Sequence, residues 1–274
     1  MGLVINTNIA SLSAQRNLNT TNNQLTKSVE RLSSGLRITR AADDAAGLAV
    51  SETLRAQIRS INQAARNAGD GISLTQIADG AAEAIGNLLQ RMRELATQAG
   101  SGTVGTTERS YLDQEFLALR SEIDRIATVT EFNGNPLLSG ASNSFNVFVG
   151  FKSGASNALT LDLNDLTTTD LSLNAVNIST SANAQSSLAN IDNAISAVAT
   201  ARAEYGSIQA RFEAAIANLA VTSENFSAAE SRIRDADIAY ETSVFTRNQI
   251  LVQSGVAVLA QANALPQSAL ALLQ

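Results

Sequence analysis

Residues 188–233 read LANIDNAISAVATARAEYGSIQARFEAAIANLAVTSENFSAAESRI, and the spacing of their apolar residues predicts one long helix. An apolar residue falls on every seventh position: Ile191, Val198, Tyr205, Phe212, Leu219, Phe226 and Ile233. A second, partial row fills the four-residue offset: Leu188, Ile195 and Ile216. Strict seven-residue spacing puts one apolar stripe along a helix about 70 Å long, at about 1.5 Å per residue. Because a lone helix cannot bury such a stripe, we expect partner helices elsewhere in the chain.

The composition excludes several functional classes. The 274 residues include no Cys, no His and no Trp, and the net charge is -6. Without His, the chain lacks the commonest general base and the commonest transition-metal ligand. Without Cys it forms no disulfide, and an acidic balance argues against a nucleic-acid partner, which needs a basic patch. We therefore expect no cofactor, no metal site and no nucleic-acid binding.

Neither end of the sequence predicts membrane insertion. The first residues, MGLVINTN, show no basic segment followed by an apolar run, so we expect no cleavable secretory signal. The stretch 248–274 carries no charge, but Gln253, Gln261 and Pro266 interrupt it. No apolar run approaches the roughly 20 residues that a membrane-spanning helix needs.

Apolar spacing near three and four residues predicts further helices around residues 4–36, 54–99, 112–126 and 238–265. The sequence Ser33-Ser34-Gly35 is typical of a helix end, and either Asp43 or Asp44 suits the start of the next helix. After residue 130 the pattern changes, because Asn133-Gly134 before Pro136 predicts a turn. Alternating apolar residues in 145–149 and 159–163 predict a β-hairpin.

The order of elements predicts a chain that runs out and returns. We expect a mainly α fold: an elongated rod of long antiparallel helices, packed as a coiled-coil-like bundle, with a small β-hairpin region. An N-terminal helix in residues 1–42 pairs with a C-terminal helix in 235–274. The rod occupies 43–234 and includes the hairpin region at about 139–180. Because two paired terminal helices leave apolar surface uncovered, this pattern favours self-assembly over frayed ends.

Two pairs of acidic residues are candidates for catalysis, Asp43-Asp44 and Asp235 with Asp237. A carboxylate pair performs acid–base chemistry or holds a metal only where a nucleophile and an orienting group gather beside it, and no such set accompanies these residues. Helix capping, or contacts with Arg232 and Arg234, is the favoured interpretation. We therefore expect a protein that is not an enzyme.

Several long motifs resemble the bacterial flagellin family and occur in the same order. They are Ile5-Asn6-Thr7-Asn8, Leu32-Ser33-Ser34-Gly35-Leu36-Arg37-Ile38, Ala41-Ala42-Asp43-Asp44-Ala45-Ala46-Gly47-Leu48, Gln90-Arg91-Met92-Arg93-Glu94-Leu95-Ala96, Glu131-Phe132-Asn133-Gly134, Arg232-Ile233-Arg234-Asp235-Ala236-Asp237, and Pro266-Gln267 through Leu272-Leu273. Together they extend from residue 5 to residue 273, that is, from the first predicted helix to the end of the last. The large variable outer domains of the family are missing, so the chain resembles a short form.

The resemblance implies a structural subunit that self-assembles into the helical filament of the bacterial flagellum, for motility. It implies type III export of an unfolded chain, an extracellular location, and contacts with the flagellar cap, with hook–filament junction proteins and with an export chaperone on the C-terminal helix. A hook–filament junction-type protein or another secreted helical adaptor is the alternative. The residues expected to drive polymerisation in the inner-core helices are Ile5, Ile9, Leu12, Leu18, Leu25, Leu32, Val244, Leu251, Val252, Val258, Leu259 and Leu265.

The same resemblance implies recognition by a host innate immune receptor, Toll-like receptor 5. The matching positions are Gln90, Arg91, Leu95 and Glu115. Arg91 offers a planar fork of donors, Leu95 a small apolar plug and Glu115 an acceptor. Alternatively, Leu95 and Met92 belong to the apolar stripe of the bundle and Arg91 pairs with a neighbouring subunit. The two interpretations are compatible.

Overall fold

A computed structural model describes residues 7–140 and 143–271 of the chain. Its helices are α1 Ile9–Ser34, α2 Ala45–Gly100, α3 Thr106–Val129, α4 Ser181–Arg234 and α5 Ile238–Ala271. Its strands are β1 Glu131–Phe132, β2 Asn135–Pro136, β3 Asn143–Phe148 and β4 Ala158–Leu163. The prediction of a mainly α fold with a small β-hairpin region is confirmed.

The ends of α1 and the start of α2 follow the predicted local chemistry. The Asn8 side-chain oxygen accepts the backbone N–H of Ser11 at 3.1 Å and so caps α1. Gly35 ends that helix with φ +71°, a left-handed conformation that glycine adopts without a steric penalty. Asp44 precedes α2, and its Oδ1 accepts the N–H of Gly47 at 2.8 Å. Of the two candidate caps, Asp44 is therefore the one observed.

Both predicted reversals of the chain are present. Asn133 and Gly134 both have positive φ, 51° and 77°, which is the geometry of the two-residue turn that joins β1 to β2. Strands β3 and β4 pair antiparallel, with Phe145 opposite Leu161. This is the β-hairpin that the alternating pattern predicted.

Contacts divide the described chain into two compact units. The central unit covers residues 57–224, and the terminal unit takes the described residues up to Ala56 and those from Asn225 onward. The terminal unit thus includes α1, α5 and the first turns of α2, whereas the boundaries expected from the sequence lay near 42 and 235. Those expected boundaries stay a prediction.

The apolar row of α4 builds the core of the central unit. Its first five members are buried: Ile191, Val198, Tyr205, Phe212 and Leu219. The offset row of Leu188, Ile195 and Ile216 is only half-buried, and the small residues Ala184, Ala194 and Ala201 are buried instead. Glycines of α2 face α4 in reverse order, which makes the two helices antiparallel: Gly71 at Phe212, Gly86 at Val198 and Gly100 at Ala184.

The Ser- and Thr-rich segment after β4 is more deeply packed than its composition suggests. It contributes five buried apolar side chains to the central core: Leu166, Leu171, Leu173, Val176 and Ile178. Side chains of α3 hold its backbone in place. The carboxylate of Asp124 accepts both the N–H and the hydroxyl of Thr168, at 2.8 and 2.7 Å, and Asp113 accepts the N–H of Ile178 at 2.8 Å.

Candidate functional site: the paired terminal helices

In the terminal unit, α1 and α5 pack side by side and antiparallel. Beyond the end of α1, the N–H of Ala236 donates to the carbonyl of Gly35 at 2.9 Å, and the N–H of Arg37 donates to the carbonyl of Arg234 at 2.6 Å. At the other end of the pair, Asn8 Nδ2 donates to the carbonyl of Ala262 at 2.7 Å. The predicted pairing of the first and last helices is therefore present.

A row of polar and small residues forms the centre of the α5 contact face. Its members follow at intervals of seven residues: Glu241, Asn248, Gly255 and Ala262. The first two and the last are buried, with 5%, 5% and 6% exposure. Gly255 lies beneath Leu18, since a Cβ on this glycine would sit 3.2 Å from Leu18 Cδ1. We call these four residues the contact row.

The apolar rows expected to drive polymerisation lie on either side of the contact row. They do not form the centre of the face where α5 contacts α1. On α5, Val244, Val252 and Leu259 are half-buried. On α1, Leu18, Leu25 and Leu32 are half-buried, while Ser28 is buried at 2% exposure. The sequence analysis missed the contact row because it searched for apolar periodicity, although the same seven-residue spacing was visible in the polar and small residues.

Four of the expected polymerisation residues are exposed. Ile9 is 73% exposed, Leu12 53%, Leu251 48% and Val258 58%. Further exposed apolar side chains of α5 are Ile238, Tyr240, Ile250 and Val256. Ile5 and the side chain of Leu265 lie outside the part of the chain that the structure describes. The described part of the pair thus keeps a substantial apolar surface open to solvent.

A charged contact marks the junction of α1 and α5. Arg31 lies in the last turn of α1 and Glu241 in the first turn of α5, with Nη1 and Oε2 3.7 Å apart. A cation at a helix C-terminus and an anion at a helix N-terminus both interact favourably with the helix dipole. The Glu241 carboxylate is almost fully buried, so it depends on this cation more strongly than a surface carboxylate would.

Three of the four carboxylates in the acidic pairs, those of Asp43, Asp44 and Asp237, make local structural hydrogen bonds. Asp237 Oδ1 accepts the N–H of Tyr240 at 3.0 Å and caps α5. Burial alone would raise the pKa of Asp43, but hydrogen bonds from Thr39 and Arg40 outweigh it and lower that pKa. Capping is therefore confirmed for Asp44 and Asp237. Within residues 7–140 and 143–271, no group of three acidic side chains suited to a metal is found.

Arg234 does not pair with the neighbouring aspartates as the sequence interpretation allowed. Its Nη1 donates to Glu52 Oε1 at 2.6 Å instead, and this bond ties the last turn of α4 to the start of α2 within the terminal unit. The hydrogen bond from Arg234 lowers the pKa of Glu52, and the nearby charge of Arg55 acts in the same direction.

The expected receptor segment presents an exposed cluster of charges on the central unit. Arg91 Nε and Nη2 donate to Glu115 at 3.0 and 2.9 Å, and Nη1 donates to Glu94 at 2.9 Å. The bonds to Glu94 and then to Glu115 raise the pKa of the Arg91 guanidinium. Gln90 is also exposed. Three of the four expected residues, Gln90, Arg91 and Glu115, are thus accessible on this unit.

Leu95 requires a correction. Its side chain is 1% exposed and Met92 is fully buried, because both lie on the face of α2 that forms the central core. A leucine inside the core offers no apolar plug to an outside partner. The alternative assignment of Leu95 and Met92 to the bundle stripe is the one observed.

Profiles of two protein regions match this sequence. The bacterial flagellin N-terminal helical region matches residues 5–143, and the bacterial flagellin C-terminal helical region matches residues 188–273. This chain belongs to the bacterial flagellin family. Within the described residues, no helix is long and apolar enough to cross a membrane.

Individual flagellins agree with this assignment over nearly the whole chain. A flagellin of Halalkalibacterium halodurans is 47% identical over 272 residues, which cover 99% of this chain and 100% of the relative. A flagellar filament 33 kDa core protein of Treponema phagedenis is 41% identical over 290 residues, with 99% and 100% coverage. The flagellin of Bacillus subtilis strain 168 is 41% identical over 302 residues, with 98% and 99% coverage.

Solved structures support the same family and fold. The crystal structure of Bacillus cereus flagellin matches with a TM-score of 0.50 and 34% identity, over 56% of this chain and 88% of that one. A putative flagellar hook-associated protein from Vibrio parahaemolyticus matches with a TM-score of 0.61, over 70% of this chain and 100% of that one. At 16% identity the second match shows only a shared fold, so it does not favour the junction-protein alternative.

Membership of the family gives the function at a coarse level. This flagellin is a structural subunit that polymerises with copies of itself into the bacterial flagellar filament. One of its relatives is a flagellar filament core protein. The expectation of a structural protein in a short form without large outer domains agrees with a full-length match to relatives of similar size.

Proposed function

We propose that this flagellin polymerises through the apolar side chains that α1 and α5 leave exposed. The observation that carries the proposal is the exposure of Ile9, Leu12, Leu251 and Val258 beside a polar contact row. Exposed apolar surface of this kind marks an interaction site, and copies of the same chain are the partners that the family provides. Ile5 and Leu265 extend the same apolar rows in the sequence and join the proposed set.

A groove beside the pair gives this surface a shape. Its volume is about 230 Å³, and residues of both helices line it: Ala14, Asn17, Leu18, Thr21, Leu251, Ser254, Gly255 and Val258. Leu251 and Val258 stand on the α5 side, and Leu18 lies across from them on α1. The groove is large enough for an apolar side chain of a neighbouring subunit, which would cover the exposed part of these residues. The half-buried Leu25, Leu32, Val244, Val252 and Leu259 would support the surface from beneath.

Replacing Val258 by Asp tests the surface directly. Val258 is 58% exposed, so an aspartate there is hydrated in the free subunit and becomes an unpaired buried charge only when a neighbour covers it. We expect Val258→Asp to abolish seeded polymerisation, viewed by electron microscopy, while the circular dichroism of the free subunit stays unchanged. Gln253→Asp, on another exposed position of α5, is the matched control and should polymerise.

Normal filaments from Val258→Asp would contradict the proposal. Leu259→Asp is also expected to abolish polymerisation without unfolding α4, but Leu259 is half-buried and its loss weakens the α1–α5 pair as well. The same assay distinguishes a filament subunit from the alternative function. A hook–filament junction-type protein or another helical adaptor should form no long filament from seeds.

The other partners are proposed on the grounds of family membership. They are the flagellar cap and hook–filament junction proteins, and a chaperone that binds α5 before type III export to the outside of the cell. Ile250, Leu251, Val256 and Val258 support the chaperone proposal, since α5 carries no charged residue beyond Arg247 to disturb an apolar groove on a partner. An amphipathic helix laid into such a groove is a common recognition mode.

We propose the host innate immune receptor as a second partner, on the observation that Arg91 and Glu115 form an exposed charged cluster with Gln90 beside it. A central interface arginine contributes about 1–2 kcal/mol or more. Arg91→Ala should therefore shift the dose–response curve of receptor-expressing cells to higher concentration by about fivefold to thirtyfold. Arg125→Ala, which removes another exposed arginine paired with a glutamate, is the control. Superimposable curves for wild type and Arg91→Ala would remove Arg91 from the site.

A further inference from the structure

Arg247 is the last charged residue of α5, and no charge follows it in the sequence. The positions one helical turn away on either side are uncharged: Ser243, Val244, Ile250 and Leu251. The helix α5 therefore offers Arg247 no carboxylate at the spacing that supports an ion pair along a helix. The guanidinium is exposed, and it forms no hydrogen bond or ion pair with the part of the chain that the structure describes.

The position of Arg247 makes its side chain part of the proposed polymerisation surface. It precedes Leu251 by one helical turn and Val258 by about three, so the three side chains follow one another on the same side of α5. Together with Leu251, Arg247 lines a shallow groove of about 480 Å³ on this helix. The other residues of the groove are Thr242, Ser243, Thr246 and Ile250. A subunit that covers Leu251 therefore also encloses the guanidinium of Arg247.

An enclosed guanidinium without an acceptor is strongly unfavourable, because it loses its hydration and gains no bond in exchange. A neighbouring subunit must therefore present an acceptor at this position. A carboxylate matches the planar fork of an arginine side chain best, since it accepts two parallel hydrogen bonds. The exposed apolar side chains of the surface lie on α1 and α5, so the terminal unit of the neighbour is the part that supplies this carboxylate.

Asp235 is the carboxylate of the terminal unit that remains available. In the described part of this unit, each of the other carboxylates accepts a hydrogen bond or pairs with a cation: Glu30, Asp43, Asp44, Glu52, Glu230, Asp237 and Glu241. The exposed side chain of Asp235 makes neither contact, even with Arg232 three residues earlier. Its backbone is held in place, since it forms a β-bridge with Leu36 and its N–H donates to the carbonyl of Ser231 at 2.9 Å.

We propose that Arg247 of one subunit and Asp235 of a second copy form an ion pair across the polymerisation surface. This pair rests on the proposed function, because it is enclosed only where α5 meets a neighbour. Each subunit carries both groups, so the same pair repeats from subunit to subunit along the polymer. Because opposite charges must meet, the pair also selects the position in which two otherwise apolar surfaces dock.

Reversal of the two charges tests the pair. Both side chains are exposed in the free subunit, so Arg247→Glu and Asp235→Arg should leave its circular dichroism unchanged. The quantity measured is the critical concentration, above which filaments grow from seeds. Each single reversal brings two like charges together, and we expect it to raise the critical concentration by about thirtyfold or more. In the double variant the charges are opposite again, and the critical concentration should return to within about threefold of the wild-type value.

Arg16→Glu combined with Asp235→Arg is the matched control. Arg16 is another exposed arginine of the terminal unit without an acidic partner among the described residues, but it lies on α1. The control therefore has the same net charge as the double reversal, while Arg247 keeps its positive charge. We expect it to polymerise as poorly as Asp235→Arg alone.

Normal polymerisation of either single reversal would overturn the proposal. A double variant no better than the worse single variant would overturn it too, because Arg247 would then have another partner. Equal recovery in the Arg16 control would do the same, since net charge alone would explain it. These results are separable from the test of the apolar surface. If Val258→Asp polymerises normally while the double reversal restores polymerisation, the apolar surface is wrong and the ion pair stands.

The converse result is equally clear. If Val258→Asp abolishes polymerisation and the double reversal restores nothing, the apolar surface stands and the ion pair is wrong.

Discussion

The central and terminal units bury different kinds of side chain where their helices meet. In the central unit, α4 contributes Tyr205 and Phe212 and α3 contributes Phe116, all fully buried. In the terminal unit, the buried residues among the described side chains of α1 and α5 are Ser28 and three members of the contact row, Glu241, Asn248 and Ala262. Large apolar side chains are thus inside the first unit, whereas many of those on the second remain outside.

This difference predicts that the central unit is stable by itself, and that the terminal unit gains much of its stability from the proposed contacts with neighbouring subunits. Burial of a large apolar side chain contributes about 1.5–3 kcal/mol, and the central core contains many of them. The terminal pair gains less from its own contacts, while ordering each residue of its backbone costs about 1–2 kcal/mol. The apolar side chains that would balance this cost are the ones proposed to meet other subunits.

The largest expected effect comes from emptying the central core. Phe212→Ala removes a fully buried ring that packs against Gly71 of α2, and it should lower the free energy of unfolding by about 3–5 kcal/mol. Urea unfolding of the full-length chain, followed by circular dichroism, measures the change. Val221→Ala, at a 58% exposed position of the same helix, is the control and should change the free energy by about 0.5 kcal/mol or less. If the two variants lowered the free energy of unfolding equally, burial in the central core would contribute no extra stability. The proposed difference between the central and terminal units would then be wrong.

A smaller effect of defined sign is expected at two glycines of α2. A Cβ at Gly71 would lie 2.7 Å from the Phe212 ring, so Gly71→Ala overpacks the core and should destabilise the protein by about 1–3 kcal/mol. Gly80 has no atom within 4 Å of the added Cβ, and Gly80→Ala should stabilise the helix by about 0.5–1 kcal/mol. The melting temperature should therefore fall in Gly71→Ala and rise in Gly80→Ala. A rise in melting temperature for Gly71→Ala would show that the Phe212 ring moves to accommodate the added methyl group.

The smallest expected effect is electrostatic and belongs to the terminal unit. The hydrogen bond from Arg234 lowers the pKa of Glu52 below its ordinary value of 4.5. Because the folded pKa is the lower one, the pair stabilises the fold fully above pH 4.5, and this stabilisation is lost as the pH falls through the lowered pKa. Carboxyl titration by NMR should find a Glu52 pKa below 4.5 that returns toward 4.5 in Arg234→Gln. An identical Glu52 pKa in the wild type and in Arg234→Gln would show that the hydrogen bond from Arg234 does not lower it.

Sequence periodicity predicts the central unit well, since burial there follows apolar pattern. The stripe of α4, the hairpin and the Asn133-Gly134 turn were all visible because each depends on local spacing or on a positive φ. The core segment around Leu166 and Leu173 was not visible, because hydrogen bonds from distant α3 hold it rather than a regular pattern of its own.

The terminal site was only half predictable for the opposite reason. Its apolar residues were identified from their spacing, but the face that α5 turns to α1 centres on Glu241 and Asn248, which a search for apolar rows passes over. Likewise, the sequence alone did not decide whether Leu95 faces outward or lies in the core. That depends on the angle at which α2 packs in the central unit, where Leu95 joins Met92 inside.

Because the exposed side chains of α1 and α5 are proposed to bind other subunits, the stability of these helices should depend on the subunit concentration. If copies of the subunit bind the folded pair and not the unfolded one, they stabilise it as any ligand would. Well above the dissociation constant, each tenfold rise in free subunit adds about 1.4 kcal/mol to the folded helices. The terminal unit is then least stable in a dilute solution and most stable at the end of a growing filament, so its folding and its assembly share one concentration scale.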